Sequence, residues 1–159
     1  MSNFKFTPEN EIKFQEYVSR YPIIDSVMLP ALWLVQEQIG WVSPEAMVYV
    51  ADRIGKTPIQ VYEVATFYTM FNLKPIGKYH IELCKTLSCM LNGSKELKKH
   101  IKDTLGLEPG HTSADGMFTF SEVECQGACG DAPMIALNNV YHGKLTKESL
   151  DKIIWECKK

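Results

Sequence analysis

The chain contains 159 residues, carries a formal net charge of −2 and is 45% apolar, which suits one domain or two small ones with real hydrophobic cores. So small a net charge gives no electrostatic basis for binding nucleic acid. The longest nearly apolar run, Val27 to Val35, is far shorter than the roughly 20 residues of a membrane span. Because the N-terminus lacks the basic and apolar regions of a secretory signal, we expect a soluble protein of a reducing compartment.

The first half of the chain, up to about Leu73, has the signals of helices. At three places a hydroxyl residue stands directly before a proline, a pattern typical of an N-cap followed by the first helical residue. These dipeptides are Thr7-Pro8, Ser43-Pro44 and Thr57-Pro58. Gly40 and Gly55 lie where C-terminal caps belong. The pattern predicts helices at residues 8–20, 27–39, 44–54 and 58–71.

Two of these helices, 27–39 and 58–71, are apolar nearly all round. Their runs "LPALWLV" and "VYEVATFYTMF" leave little polar surface. A helix that is apolar on every side is buried on every side, and a small domain alone supplies little cover. We therefore expect part of both helices to face another domain or subunit. The alternative is a tight four-helix bundle without a partner.

The segment Lys74-Pro75-Ile76-Gly77 interrupts the helical pattern and predicts a boundary between a helical domain, residues 1–75, and a second domain, residues 76–159. The predicted elements of the second domain are a strand over residues 79–84, a helix near 94–105, a turn-rich loop over 108–117, a strand from Phe118 to Cys125 with a bulge at Ser121-Glu122, a hairpin turning at Asn138-Asn139 and a helix from about Lys147 to Cys157. This β-α-β-β-α order describes a small α/β domain, so the whole chain is α+β.

Four cysteines form two pairs, each following a predicted strand. Cys84 and Cys89 make a Cys-x4-Cys motif, and Cys125 and Cys129 make a Cys-x3-Cys motif. The second pair encloses Gly127, and such small neighbours let the backbone curl round an ion or a cluster. Loops at the ends of strands are also where α/β folds place their chemistry.

The spacing of these pairs favours a [2Fe-2S] cluster, which needs four thiolates with two on each iron. Zinc sites typically use Cys-x2-Cys, so zinc is less favoured by the spacing but stays open. Disulfides need an oxidising compartment, and thioredoxin-type catalysis needs Cys-x-x-Cys, which is absent. We predict Cys157 to be a buried apolar thiol and His80 to lie on the polar face of its strand, neither as a ligand. Without a nucleotide-binding glycine motif, the chain has a redox centre but no recognisable substrate pocket.

Four segments together carry a family resemblance that covers nearly the whole chain. They are "ATFYTMF", "CKTLSCMLNG", "SADGMFTF" and "VECQGACGDAPM". They resemble the thioredoxin-like [2Fe-2S] ferredoxins, the family of the 24 kDa, or E, subunit of NADH–quinone oxidoreductase (respiratory complex I). The resemblance implies a thioredoxin-like second domain in which Cys84 and Cys89 hold one iron and Cys125 and Cys129 the other. Ser88, where many relatives have proline, and Gln126, where an aliphatic residue is common, depart from the pattern without removing a ligand.

The resemblance also implies a function. The chain would be an electron-transfer subunit, inactive alone, whose cluster exchanges one electron with the FMN of a neighbouring NADH-binding subunit. Its place would be the peripheral arm of the complex, on the cytoplasmic side of the membrane. One alternative is the equivalent diaphorase subunit of a soluble NAD-linked hydrogenase or formate dehydrogenase. An alternative from another class is a zinc-binding structural adaptor.

Overall fold

The computed structural model describes residues 4–159, so the first three residues of the predicted helical domain lie outside it. The chain falls into two compact units, of which the first ends at Pro75 and the second runs from Ile76 to Lys159. The described helices of the first unit are α1 (Pro8–Arg20), α2 (Met28–Ile39), α3 (Pro44–Ile54) and α4 (Pro58–Phe67), with a 3-10 turn at Ile24–Val27 before α2. Among residues 4–159, none of the helices combines the length and apolar character that crossing a membrane requires.

The ends of the first three helices follow from local capping chemistry. The Thr7 and Ser43 side chains each accept a hydrogen bond from the backbone N–H three residues later, at the start of α1 and α3. The C-caps of α2 and α3 are Gly40 and Gly55, whose φ angles of 82° and 66° are left-handed. These features confirm the predicted caps, and the helices match the predicted ranges except that α2 begins one residue later.

The predicted helix 58–71 is too long, because α4 ends at Phe67. Tyr68 leaves the helix with an extended backbone, and a turn then buries Phe71 in the core of the unit. On a continued helix Phe71 would follow Ala65 by six residues, a rotation of about 240° about the helix axis. Its side chain would then point away from the buried face that Ala65 shares with Val61. The early end of α4 therefore lets this aromatic ring reach the core.

The two strongly apolar helices are covered to different extents. Helix α2 packs into the core of its own unit through Met28, Ala31, Leu32, Leu34 and Val35. Helix α4 buries only Val61 and Ala65, while Ile59 and Tyr62 are exposed and Phe67 is 76% exposed. The sequence predicts that both helices are partly covered by another domain or subunit. In the described chain this prediction applies mainly to α4, because α2 is buried in its own unit.

The second unit is built on a five-stranded mixed sheet. Its elements are β1 (Tyr79–Cys84), α5 (Leu87–Leu91), α6 (Ser94–Leu105), β2 (His111–Thr112), β3 (Phe118–Val123), a 3-10 turn (Cys129–Asp131), β4 (Ile135–Leu137), β5 (Val140–His142) and α7 (Lys147–Cys157). The strand order is β2-β3-β1-β4-β5, with β1 parallel to β3 and antiparallel to β4. The predicted α+β class is confirmed. The order of elements is β-α-α-β-β-β-β-α, so the predicted β-α-β-β-α order lacks α5, β2 and one of the two hairpin strands.

The predicted bulge in the second strand is wrong. The pairing of β1 with β3 runs without interruption from Tyr79 opposite Phe118 to Cys84 opposite Val123, and the strand ends there rather than at Cys125. Within this pairing, the Glu122 carboxylate accepts a 2.7 Å hydrogen bond from the Lys98 ammonium of α6.

The sheet has one face packed against helices and one face that carries polar side chains. The packed face joins α6 and α7 in a core made from Ile81, Leu83, Phe118, Phe120, Ile135, Leu97, Ile101, Leu150 and Ile154. The other face carries His80 and Glu82 of β1. His80 is only 8% exposed, with its Nε2 2.8 Å from the Ser121 hydroxyl, so it lies on the polar face as predicted but is buried there. Burial lowers the pKa of its imidazole.

Candidate metal centre

The parallel pairing of β1 and β3 brings the two cysteine pairs to the same edge of the sheet. Cys84 is the last residue of β1 and lies opposite Val123, so Cys125 follows only two residues beyond that pairing. Cys89 is carried by α5, which starts three residues after β1 ends. The two buried cysteines and Met134 form a small cluster with Ala128 and Ala132 against it. Both cysteine-bearing loops therefore meet at one place.

The first pair, Cys84 and Cys89, is buried. Burial tends to raise the pKa of Cys84, but hydrogen bonds from the Thr86 hydroxyl and backbone, from Cys89 and from the Gln126 backbone outweigh it, so the net pKa is lowered. The Thr86 Oγ1 lies 3.2 Å from Cys84 Sγ. Burial and the neighbouring Cys84 thiol raise the pKa of Cys89.

The second pair, Cys125 and Cys129, is exposed, and its two sulfurs lie 3.5 Å apart. The Gly127 N–H donates to Cys125 Sγ at 3.4 Å and is the main reason that the pKa of Cys125 is lowered. Gly127 has a φ of 79°, a left-handed conformation that glycine adopts without steric cost. The Cys125 thiol raises the pKa of Cys129, against a lowering effect of the Ser88 hydroxyl.

These residues fit a [2Fe-2S] cluster. The four sulfur donors stand as two pairs, and in each pair one thiol has a lowered pKa, so one proton of each pair is released more readily. The Gly127 N–H and the Thr86 hydroxyl already point at cysteine sulfurs. Such donors stabilise negative charge, which a cluster with thiolate ligands carries. Within residues 4–159, no group of three or more His, Cys, Asp and Glu side chains is arranged about a single point as one metal ion would need.

Several residues of the site were not predicted from the sequence. Thr86 and Ser88 lie between the first two cysteines, and hydroxyls so near thiols are a signal that could have identified them. Tyr141 donates from its hydroxyl to the Gln126 carbonyl at 3.0 Å, and only the hairpin register reveals that contact. Cys157 is buried in the core between the sheet and its helices, as predicted, and burial raises the pKa of its thiol.

A mixed α+β fold with paired thiols beyond two parallel strands, and without the Cys-x-x-Cys spacing of thioredoxin-type catalysis, is typical of a thioredoxin-like ferredoxin. Residues 14–158 match the family model of the thioredoxin-like [2Fe-2S] ferredoxins. The chain belongs to that family, which confirms the resemblance found in the sequence.

Named relatives agree with this family. The E subunit of the NADH-quinone oxidoreductase of Rickettsia conorii is 43% identical over 157 residues, covering 97% of this chain and 94% of the relative. The mitochondrial NADH dehydrogenase [ubiquinone] flavoprotein 2 of Dictyostelium discoideum is 42% identical over 158 residues, covering 98% of this chain and 64% of the relative.

A solved structure shares the fold at lower sequence identity. The NAD+-reducing [NiFe]-hydrogenase in its H2-reduced state superposes with a TM-score of 0.74 and 21% identity. The match covers 82% of this chain and 22% of the hydrogenase chain. At this identity the likeness shows the fold alone.

Proposed function

We propose that the chain is the electron-transfer subunit of an NADH–quinone oxidoreductase and binds one [2Fe-2S] cluster through Cys84, Cys89, Cys125 and Cys129. The observation that carries the proposal is the meeting of two cysteine pairs beyond the parallel strands β1 and β3. Relatives that are 42–43% identical over nearly all of this chain are subunits of such enzymes, which supports the assignment.

In the proposed site Cys84 and Cys89 hold one iron, and Cys125 and Cys129 hold the other. The 3.5 Å between the Cys125 and Cys129 sulfurs lets both bind one metal atom. When bound, the cluster supplies a site that accepts and returns a single electron. The chain's own part is to fix the sulfurs and to stabilise their negative charge through the Gly127 N–H and the Thr86 hydroxyl.

The electron partner in this proposal is the FMN of a neighbouring subunit that also binds NADH. NADH gives up its electrons as a hydride, and the cluster takes one electron at a time, so the chain does not oxidise NADH alone. The two exposed cysteines make the outer edge of the site the side from which an electron arrives. We place the chain in the peripheral arm of the complex, on the cytoplasmic side of the membrane.

An exposed apolar surface on the first unit is the proposed contact for that flavin-bearing subunit. The α4 surface consists of Ile59, Tyr62, Phe67, Tyr68 and Met70, all exposed. Large exposed aromatic and aliphatic side chains beside one another are typical of protein interfaces.

The proposal is tested on the chain purified with its native partners. We expect about two irons and two acid-labile sulfides per chain, together with the red-brown colour of an iron–sulfur protein. A colourless chain that contains one zinc would overturn the assignment and favour the structural adaptor. Co-purification with hydrogenase subunits, rather than with subunits of a quinone reductase, would favour the diaphorase alternative, whose fold the hydrogenase likeness supports.

A further inference from the structure

We propose that Tyr141 is a positioning residue that tunes the reduction potential of the cluster through one backbone peptide group. The inference rests on the proposed function, because it takes Cys125 as a ligand. Tyr141 lies 15 residues beyond Gln126 in the chain, and its hydroxyl bonds the Gln126 carbonyl rather than a cysteine sulfur.

The peptide group between Gln126 and Gly127 is held at both ends. Its carbonyl oxygen accepts a hydrogen bond from the Tyr141 hydroxyl at 3.0 Å. Its N–H, which belongs to Gly127, donates to Cys125 Sγ at 3.4 Å. Hydrogen bonds in such a chain polarise one another, so a donor on the carbonyl strengthens the N–H as a donor to sulfur. The same bond also fixes the plane of the peptide and hence the direction of the N–H.

The hairpin explains how a distant residue reaches this loop. Asn138 and Asn139 turn the chain with positive φ angles of 48° and 67°, as the predicted hairpin requires. The resulting register places Tyr141 opposite Ala136, which in turn lies opposite Glu82 of β1. Residues directly opposite one another in a sheet point to the same face, so Tyr141 shares the face of Glu82 and Cys84 rather than the helix-packed face.

The direction of the effect follows from charge. Reduction adds a negative charge to the cluster, and a hydrogen bond to a ligand sulfur stabilises the reduced form more than the oxidised form. Removing the Tyr141 hydroxyl weakens the Gly127 bond without opening a core, because the tyrosine is 55% exposed. The midpoint potential therefore becomes more negative in Tyr141→Phe.

The expected shift in midpoint potential is small, because Tyr141→Phe weakens the Gly127 hydrogen bond without removing it. A change of about twofold in the ratio of reduced to oxidised cluster at a fixed potential corresponds to about 18 mV, at 59 mV per tenfold for a one-electron couple. Redox titration of the full chain with its cluster, followed by EPR, measures this shift. Val140→Thr is the matched control, because it alters an exposed neighbour on β5 and leaves the Tyr141 hydroxyl in place.

A second measurement does not depend on the cluster. In the metal-free, reduced chain, the Gly127 amide proton signal in NMR should move upfield in Tyr141→Phe and stay in place in Val140→Thr, because a weaker hydrogen bond shields the proton. An unchanged Gly127 signal and an unchanged midpoint in Tyr141→Phe would overturn the inference, as would equal shifts in the control. If the wild-type chain assembles no [2Fe-2S] cluster at all, the proposed function fails together with the inference. If the cluster assembles normally and only Tyr141→Phe has no effect, the proposed function stands.

Discussion

The Arg53 guanidinium of α3 donates two parallel hydrogen bonds, each 2.6 Å long, to the Glu11 carboxylate of α1. The pair lowers the pKa of Glu11 to about 2, first through the Arg53 bonds and then through a bond from Gln15. The Arg53 guanidinium also stacks over the ring of Phe14, 4.4 Å from its centre. One polar contact thus links two helices of the first unit above its aromatic core.

This ion pair makes stability depend on pH. The folded-state pKa of Glu11 lies below its ordinary value of 4.5, so the pair stabilises the fold above that value and the contribution is lost as pH falls from about 5 towards 2. Because the Glu11 and Arg53 side chains are 38% and 26% exposed, solvent screening limits the effect to about 1 kcal/mol. Urea unfolding of metal-free Glu11→Gln should show this loss at pH 7 and only a small part of it near pH 2. The control is Glu9→Gln in the same helical turn, and an equal loss in that variant would contradict the assignment to Arg53.

The cysteine assignment predicts a selective loss of the cluster. Serine at Cys84, Cys89, Cys125 or Cys129 should abolish or grossly alter the EPR signal of the reduced cluster, because each change removes one of its four thiolates. Cys157→Ser should keep the signal, although a hydroxyl at that buried position can lower stability by about 1 kcal/mol. A normal signal from Cys125→Ser, or a lost one from Cys157→Ser, would show that the ligand set is different.

The buried side chain of Gln126, next to the site, is a position where we expect a substitution to stabilise the protein. Its side-chain Oε1 is buried and has no hydrogen-bond donor among residues 4–159. Leaving a buried acceptor unpaired costs about 1–3 kcal/mol, so Gln126→Met should raise the stability of the second unit by about 1 kcal/mol, or about 5 °C in Tm. Gln126→Glu has the same shape but carries a charge, and it should shift Tm downwards. Thermal unfolding of the metal-free, reduced chain measures both, and a lower Tm for Gln126→Met would count against an unpaired acceptor.

The α4 surface predicts how the chain associates. Phe67→Asp places a charge in the middle of the proposed contact and should weaken binding to the flavin-bearing subunit by about 30-fold, the equivalent of about 2 kcal/mol. Because Phe67 is 76% exposed, the variant should keep the circular dichroism spectrum and the cluster of the wild type. Ile12→Asp changes a residue of α1 that is 63% exposed and should bind normally. Wild-type affinity for Phe67→Asp would move the contact elsewhere and leave the cluster chemistry untouched.

The features that the sequence predicts well depend on residues that are close together along the chain. The Thr7 and Ser43 caps and the left-handed glycines 40 and 55 act within one helical turn, so the starts and ends of α1 to α3 can be predicted from local patterns. The end of α4 goes instead with the burial of Phe71 in the core of the unit, and the absence of the bulge follows from the pairing of β3 with β1. Both are decided by residues distant in sequence.

The candidate site also combines features that depend on nearby residues with features that depend on residues distant in sequence. The spacing of the cysteines in the sequence is enough to propose the four sulfur donors, because the two pairs follow strands whose alternation is visible in the sequence. The contacts of the donors that set their charge require the three-dimensional structure: the Thr86 hydroxyl reaches into both pairs, and the Tyr141 hydroxyl reaches the loop through a hairpin register. The burial of His80 likewise follows from the central place of β1 between β3 and β4, which alternation along one strand does not reveal.

The unequal exposure of the two cysteine pairs predicts the order in which reagents reach the four proposed ligands. Cys84 and Cys89 are buried and Cys125 and Cys129 are exposed, so solvent-borne reagents meet the outer pair before the inner one. Brief alkylation of the metal-free chain should label Cys125 and Cys129 first, as mass spectrometry would show, and simultaneous labelling of all four would contradict this order. In the proposed cluster-bound protein, oxidants and chelators would therefore begin the loss of the cluster at the outer pair.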